Sequence, residues 1–218
     1  MLLLTVVAPV LGTNCYVLAT GAGRECVVID PGIGVAEQVG KVLAEHALEP
    51  VAVLVTHGHL DHTHGLSELP DVPVYLHERD AYRLDDPLGS LGPQLSAQFA
   101  QFGAGWTPPG DVRPFAGAET ELDLAGLGLH AVHAPGHTEG STLYHAPADG
   151  VVFTGDVLFA GTVGRTDLPG GDDAPMRATL TRLASDDELP GPTIVRPGHG
   201  PASTLDRERA SNPYLRGL

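Results

Sequence analysis

The sequence predicts an α/β fold of two similar halves, sheet packed on sheet with helices outside. Three observations predict it. Short β-branched and aliphatic runs alternate with stretches of helical periodicity. The order strands, helix, strand, helix recurs in the second half of the chain. Val51–Val55 is continuously apolar, as expected of a strand buried on both faces. No linker rich in Gly and Ser divides the halves, so residues 1–218 read as a single domain.

The first half opens on three strands, Leu2–Ala8, Cys15–Ala19 and Cys26–Asp30. They form an antiparallel meander whose third strand is stopped by Pro31-Gly32. Val35–Ala47 places Val35, Val39, Val42 and Leu43 at helical spacing. The buried strand Val51–Val55 ends in Thr56-His57-Gly58-His59-Leu60-Asp61-His62, which therefore sits at a strand's C-terminal end. A short helix and the strand Val74–His77 follow. Gly and Pro crowd Asp85–Asp111 around Phe99, Phe102 and Trp106, which reads as a long loop with one helical turn, a candidate lid. In the second half, strands Glu121–Leu124, Leu127–Ala134, Thr142–His145 and Val151–Thr154 precede a Gly-rich stretch, Phe159–Gly171. Asp172–Ala184 is a helix with Met176, Leu180 and Leu183 on one face. Thr193–Arg196 is the last strand, and Leu205–Leu215 a terminal helix.

The charge excludes partners more than it selects them. Twelve Lys and Arg stand against 27 Asp and Glu, a net charge of −15. Such a chain lacks the basic footprint of a nucleic-acid or anionic-membrane binder. The N-terminal apolar run is short and has no basic flank, so it fails as a signal peptide, and no stretch reaches membrane-spanning length. A cytoplasmic location is expected, with Cys15 and Cys26 as reduced, buried thiols.

The 11 histidines are the main lead. Five of them and two aspartates fall at strand ends: His57, His59, Asp61, His62, His137, Asp156 and His199. His57 and His59 on an extended loop can chelate one cation, and Asp61 and His62 turn toward a neighbouring point. Pro and Gly around His137 and His199 fix tight turns that let the side chains converge. Two sites follow, His57–His59–His137 and Asp61–His62–His199, with Asp156 the carboxylate available to bridge them. Imidazole and carboxylate donors without thiolate suit two divalent ions, zinc first, with iron or manganese accepted by the same set. Such a pair would activate water and polarise a carbonyl. The other six histidines read as structural or exposed, with His64 beside the cluster and His133 a candidate to orient a ligand.

These residues resemble the metallo-β-lactamase superfamily. The likeness is carried by Thr56-His57-Gly58-His59-Leu60-Asp61-His62, Pro135-Gly136-His137-Thr138, Thr154-Gly155-Asp156 and Pro197-Gly198-His199-Gly200, in that order along the chain. It implies a four-layer αββα sandwich with a dinuclear metal site at one edge. It also implies a catalytic role for Asp61, because family members use that position to handle protons. Gly161–Gly171 and Asn212-Pro213-Tyr214 are similar to the glyoxalase II-like branch, whose members hydrolyse S-acyl glutathione thioesters. That branch's full-length enzymes carry a C-terminal glutathione-binding region, and here about 19 residues follow His199. Arg165 is a candidate for a substrate carboxylate, or else for an internal ion pair with Asp167 or Asp156. The competing activity is a persulfide dioxygenase with one iron on His57, His137 and Asp156; a lactonase would use the same metals. The implied partner is a small molecule, with no nucleic acid and no membrane, in a protein free to self-associate as a homo-oligomer.

Overall fold

The computed structural model describes residues 1–103, 105–185 and 189–218. The meander is as expected: β1 (Leu2–Val7), β2 (Asn14–Ala19) and β3 (Glu25–Ile29) pair antiparallel, with Val6 opposite Cys15 and Leu18 opposite Val27. Helix α1 (Ala36–Glu45) crosses to β4 (Glu49–Leu54), which runs parallel to β3. The short α2 (Leu60–Thr63) leads to β5 (Val74–His77), then α3 (Pro93–Gly103) and β6 (Val112–Phe115). These six strands form one sheet in chain order. The second sheet takes β7 (Glu119–Leu124), β8 (Leu127–His133), β9 (Thr142–Ala146) and β10 (Val151–Gly155). After a two-stranded ribbon, β11 (Leu158–Phe159) and β12 (Thr162–Val163), come α4 (Asp173–Ala184) and β13 (Ile194–Pro197). β14 (Ser203–Thr204) and α5 (Leu205–Ser211) close the chain, and the second sheet runs β14-β13-β10-β9-β8-β7.

Period-two alternation explains the layering. All six residues of β2 are buried, because the strand is covered on both faces. Cys15, Val17 and Ala19 pack outward with Val28, Val53 and Val39 of α1. Tyr16 and Leu18 pack inward with Ile29 and Leu54, against Leu129, Tyr144 and Phe153 of the second sheet. Behind that sheet, Val132, Leu143 and Val152 meet Met176, Leu180 and Leu183 of α4. Helix, sheet, sheet and helix are thus stacked as an αββα sandwich, as successive side chains on a strand must face opposite layers. Cys15 and Cys26 are free and buried, and burial pushes the Cys26 thiol up to about 11.

One expected element is corrected. Asp85–Asp111 is not a loop with a single helical turn. It contains a turn of 3-10 helix, Gly89–Leu91, and the three-turn α3. The Gly and Pro residues that suggested a loop are punctuation at its ends. Gly92 takes a positive φ of 78°, and Pro93 opens the helix where a missing N–H costs nothing. Leu95, Phe99 and Phe102 supply the apolar stripe at helical spacing. Ala104, within the expected loop, lies outside the described residues. β6 was also hidden by a proline; it is an edge strand, where Pro114 is tolerated opposite Leu76. The terminal helix is shorter than expected, ending at Ser211 because Asn212 turns extended ahead of Pro213. Among the described residues no helix is long and apolar enough to cross a membrane.

Candidate metal centre

Four strand ends deliver the donors to one rim. Past β4 the chain bends at Thr56 and His57 and is extended again at His59, and α2 then carries Asp61 and His62. His137 follows β8, Asp156 follows β10 directly, and His199 follows β13. The tight turns are sterically required. Gly198 packs so closely on Asp156 Oδ1 and His62 that any side chain would displace one of them. The His199 turn is tied across to the first sheet: Asn14 Nδ2 donates to the carbonyls of Pro197 (3.0 Å) and Gly200 (2.9 Å), and the Tyr16 hydroxyl donates to Pro197 (2.7 Å).

All seven predicted donors converge. His137 Nε2 lies 2.9 Å from His59 Nδ1 and 3.2 Å from His57 Nε2. His62 Nε2 lies 3.3 Å from both His199 Nε2 and Asp156 Oδ1, and 3.7 Å from Asp61 Oδ2. His199 Nε2 is 3.2 Å from Asp61 Oδ2. Three donor groups each fall within 4.8 Å: His57–His59–His137, His57–His62–Asp156 and Asp61–His62–His199. Asp156 Oδ2 lies 3.7 Å from His137 Nε2 and 3.6 Å from His199 Nε2, so this carboxylate sits between the two outer groups.

The protons decide what this cluster is for. His137 Nδ1 donates to the Arg165 carbonyl at 2.7 Å, and His62 Nδ1 pairs with Asp30 Oδ2 at 2.9 Å. In the neutral rings, that leaves the Nε2 lone pairs aimed at the other donors, an arrangement that orients imidazoles for metal. Donors about 2.0–2.1 Å from a tetrahedral zinc ion sit about 3.3 Å apart, close to the spacings found. Asp156 Oδ1 is buried and makes no well-formed hydrogen bond, with only the His62 imidazole near it at 3.3 Å, a costly state that a cation would relieve. The residues present therefore fit a divalent-metal site.

The electrostatics agree. Burial, reinforced by the neighbouring imidazoles, holds His57 and His59 well below their usual pKa, in the neutral ligand form. Burial opposes charge on His62, but Asp156, Asp61 and Asp30 outweigh it and hold the pKa well above normal. Burial would raise Asp61 and Asp156 too, but His62 and the other imidazoles keep both carboxyls low. A divalent ion entering here exchanges with protons on His62 and His199.

The model of the metallo-beta-lactamase superfamily matches residues 8–199. The chain belongs to this superfamily. It is similar to the probable metallo-hydrolase YqgX of Bacillus subtilis, 34% identical over 94% of this chain and 93% of that one. It is also similar to the hydroxyacylglutathione hydrolase GloC of Haemophilus influenzae, 33% identical over 88% of each. Among solved structures, BLEG-1 B3 metallo-beta-lactamase is 33% identical, with a TM-score of 0.82 over 99% of this chain and all of that one. TTHA1623, solved in a di-iron-bound form, is 35% identical, with a TM-score of 0.80 over 97% of this chain and all of that one.

Within this superfamily scaffold the structure reveals supporting residues that the sequence did not single out. Asp30 accepts from the Thr56 backbone N–H (2.8 Å) and hydroxyl (2.6 Å) besides holding His62. It sits at a positive φ of 50°, a strained position for a non-glycine residue. A carboxylate closing an apolar strand ahead of Pro-Gly was the available signal. Asp80 is wholly buried. Its oxygens accept from Gly58 N (2.7 Å), Gly140 N (2.8 Å), the Thr138 hydroxyl (2.8 Å) and Arg83 Nε (3.3 Å). It thus ties the His57–His59 loop to the His137 loop. The equally buried Arg83 extends the tie to Glu139 (2.6 Å) and the Pro169 carbonyl (3.0 Å). Nothing in Glu78-Arg79-Asp80-Ala81-Tyr82-Arg83 distinguishes these two residues from an exposed polar turn.

Three expectations about other residues are now resolved. Arg165 forms a two-pronged, exposed ion pair with Asp167 at 2.6 and 2.7 Å. Its backbone, not its guanidinium, touches the metal centre. His64 is neither exposed nor in the cluster: its Nε2 donates to the Phe102 carbonyl (3.1 Å), anchoring the end of α3. His133 stacks on His77 with 3.9 Å between centroids and donates to the Glu139 carbonyl (2.8 Å), bracing the chain just beyond His137.

Proposed function

We propose that this superfamily metallo-hydrolase cleaves small-molecule thioesters, in the manner of a glyoxalase II-like enzyme. The observation that carries the reading is the placement of the donors. His59, Asp61, His137, Asp156 and His199 form the floor of an open cavity of 510 Å³, so a small molecule can reach the centre. Similarity to a relative named for hydroxyacylglutathione hydrolysis supports the thioester. The di-iron form of TTHA1623 supports a pair of ions and keeps iron beside zinc.

When bound, divalent ions supply polarisation of a carbonyl and activation of water near neutral pH. The chain's own residues do the rest. His57, His59 and His137 would hold one ion, and Asp61, His62 and His199 the other, with Asp156 between. Asp30 and the Arg165 carbonyl keep His62 and His137 in the ligating tautomer. Asp61, on the cavity floor 3.2 Å from His199, is the group placed to accept and return a proton during turnover. A thiolate leaves without a strong general acid, which suits a floor whose carboxyls are both held ionised.

A single-iron persulfide dioxygenase on His57, His137 and Asp156 would leave Asp61, His62 and His199 without a purpose, although they converge as tightly. The β-lactam reading suggested by BLEG-1 rests on the shared scaffold. The test is turnover of thioesters, lactones, a β-lactam and a persulfide beside metal analysis. Two ions per chain with thioester cleavage are expected. One iron per chain with sulfite formed from a persulfide would sink the proposal.

A further inference from the structure

We infer that the acyl part of the substrate is an apolar chain, seated on a hydrocarbon wall beside the metal centre and not held by ionic contacts. The inference rests on the thioesterase reading and adds the substrate class to it.

The wall is built from four separate segments. Leu91 and Ile33 form its buried base, Leu95 and Phe99 descend from α3, and Phe159 and Leu168 close it from the Gly-rich side. Helix α3 is unusual in that none of its residues is buried, although Leu95, Phe99 and Phe102 recur at helical spacing. An amphipathic helix in a folded domain normally buries its stripe against the core. Here the helix is held by the Ser96 hydroxyl on the Leu88 carbonyl and by Phe102 edge-on against His64, and its stripe packs on Ile33, Leu60 and Leu91 without becoming fully buried. The N-terminal part of the stripe, Leu95 and Phe99, is left half-covered at the cavity. Apolar surface left open beside a reactive centre is the feature by which small-molecule sites are recognised.

The charges point the same way. Among the described residues Arg165 is the one cationic side chain on the cavity lining apart from the donor histidines, and its Nε and Nη2 both pair with Asp167. The chain's one lysine, Lys41, sits on α1 and pairs with Glu37 at 2.6 Å. A glutathionyl group carries two carboxylates and an ammonium, and among the described residues the lining offers its carboxylates no cationic side chain, apart from the donor histidines, that is without an acidic partner. Among the described residues, Gln98 is the one uncharged polar side chain on the lining apart from the histidines. Discrimination at such a wall comes from methylenes removed from water, which is cumulative with chain length.

The test uses the metal-loaded protein and N-acetylcysteamine thioesters from acetyl to octanoyl. We expect kcat/KM to rise about fourfold per methylene, the transfer value for a buried CH₂, until the wall is covered. S-lactoylglutathione and S-lactoyl-N-acetylcysteamine should be cleaved at similar rates. Phe99→Ala should flatten the length dependence relative to the parent, read as the octanoyl-to-acetyl ratio within each protein. Calorimetry of straight-chain carboxylates, the products, gives a readout that needs no turnover. Affinity rising with length while no thioester is cleaved would keep the wall and overturn the thioesterase reading. Thioester cleavage with a flat length profile, or a tenfold preference for the glutathione ester, would overturn the wall and leave the thioesterase reading standing.

Discussion

Replacing Asp80 with Ala should damage both the fold and the metal centre, although Asp80 touches no metal donor. The carboxylate is wholly buried and accepts from Gly58 N, Gly140 N, Thr138 Oγ1 and Arg83 Nε. Alanine leaves two neutral donors, Gly58 N and Gly140 N, buried and unpaired, at about 1–3 kcal/mol each, while the Thr138 hydroxyl keeps Ser141 Oγ at 2.8 Å. Arg83 is not orphaned, because Glu139 and the Ser90 and Pro169 carbonyls still hold it. The sum is about 4 kcal/mol, less than the two maxima because the loops relax together. For a chain of this size that lowers the melting temperature by about 10 °C. The same loss frees the His57–His59 loop from the His137 loop, so metal affinity should fall by about 10–100-fold, as for other groups that orient ligands. Asp80→Asn keeps one acceptor oxygen but turns an amide NH₂ toward existing donors, so it should fall between parent and Ala. The assays are thermal melts with and without metal, and competition against a chelator. A melting point within about 3 °C of the parent, together with unchanged chelator competition, would refute the argument.

The ligand set makes separate predictions. His57→Ala should lose metal and turnover together, whereas His199→Ala should mainly empty one of two sites, and Asp156→Ala should weaken both; plasma emission spectrometry of the purified variants reads this directly. Arg165→Ala should leave the melting temperature close to that of the parent, because its pair with Asp167 is exposed on both sides and screened by solvent. A raised KM in that variant would show a substrate role for the guanidinium, and an unchanged KM would assign it to the loop alone. The stacked His77 and His133 should make stability pH-dependent. Burial, and for His77 its neighbour His133, hold both pKa values below normal. The unfolded chain therefore binds more protons than the folded one as pH falls through and below about 6.5. Stability from this pair is complete above that pH and is lost on acidification. His133→Gln should flatten the acid limb of melting temperature against pH, and an unaltered limb would count against the pair.

Much of this molecule was legible in the sequence, and the reasons are physical. Strand β2 alternates Cys15, Val17 and Ala19 with Tyr16 and Leu18, and that alternation alone assigns one face to the helices and one to the other sheet. The convergence of the seven candidate donors was legible because histidines and aspartates at the ends of apolar strands have few structural uses, and Pro and Gly around His137 and His199 marked the turns that bring them together. α3 was not legible, because Gly92, Pro93 and Gly103 bound the helix closely enough to read as its interruption. Its stripe packs only on the small cluster of Ile33, Leu60 and Leu91, so it lacks the wide apolar face by which a helix declares itself.

Asp30, Asp80 and Arg83 escaped for a different reason. A buried carboxylate is identified by the donors around it, and those donors are chiefly backbone N–H groups and two threonine hydroxyls, brought from positions 56, 58, 138 and 140. Backbone N–H groups carry no sequence signature, so nothing in the chain announces where they are left unpaired. The same residues explain why the centre can be rigid while lying on loops. Asp30 fixes His62 and Thr56, Asp80 fixes the turns bearing His57 and His137, and the Arg165 carbonyl fixes the His137 ring. The donors themselves then need satisfy only the metal, which is why they could be read from their types and positions, while the residues that hold them in place had to be read from the fold.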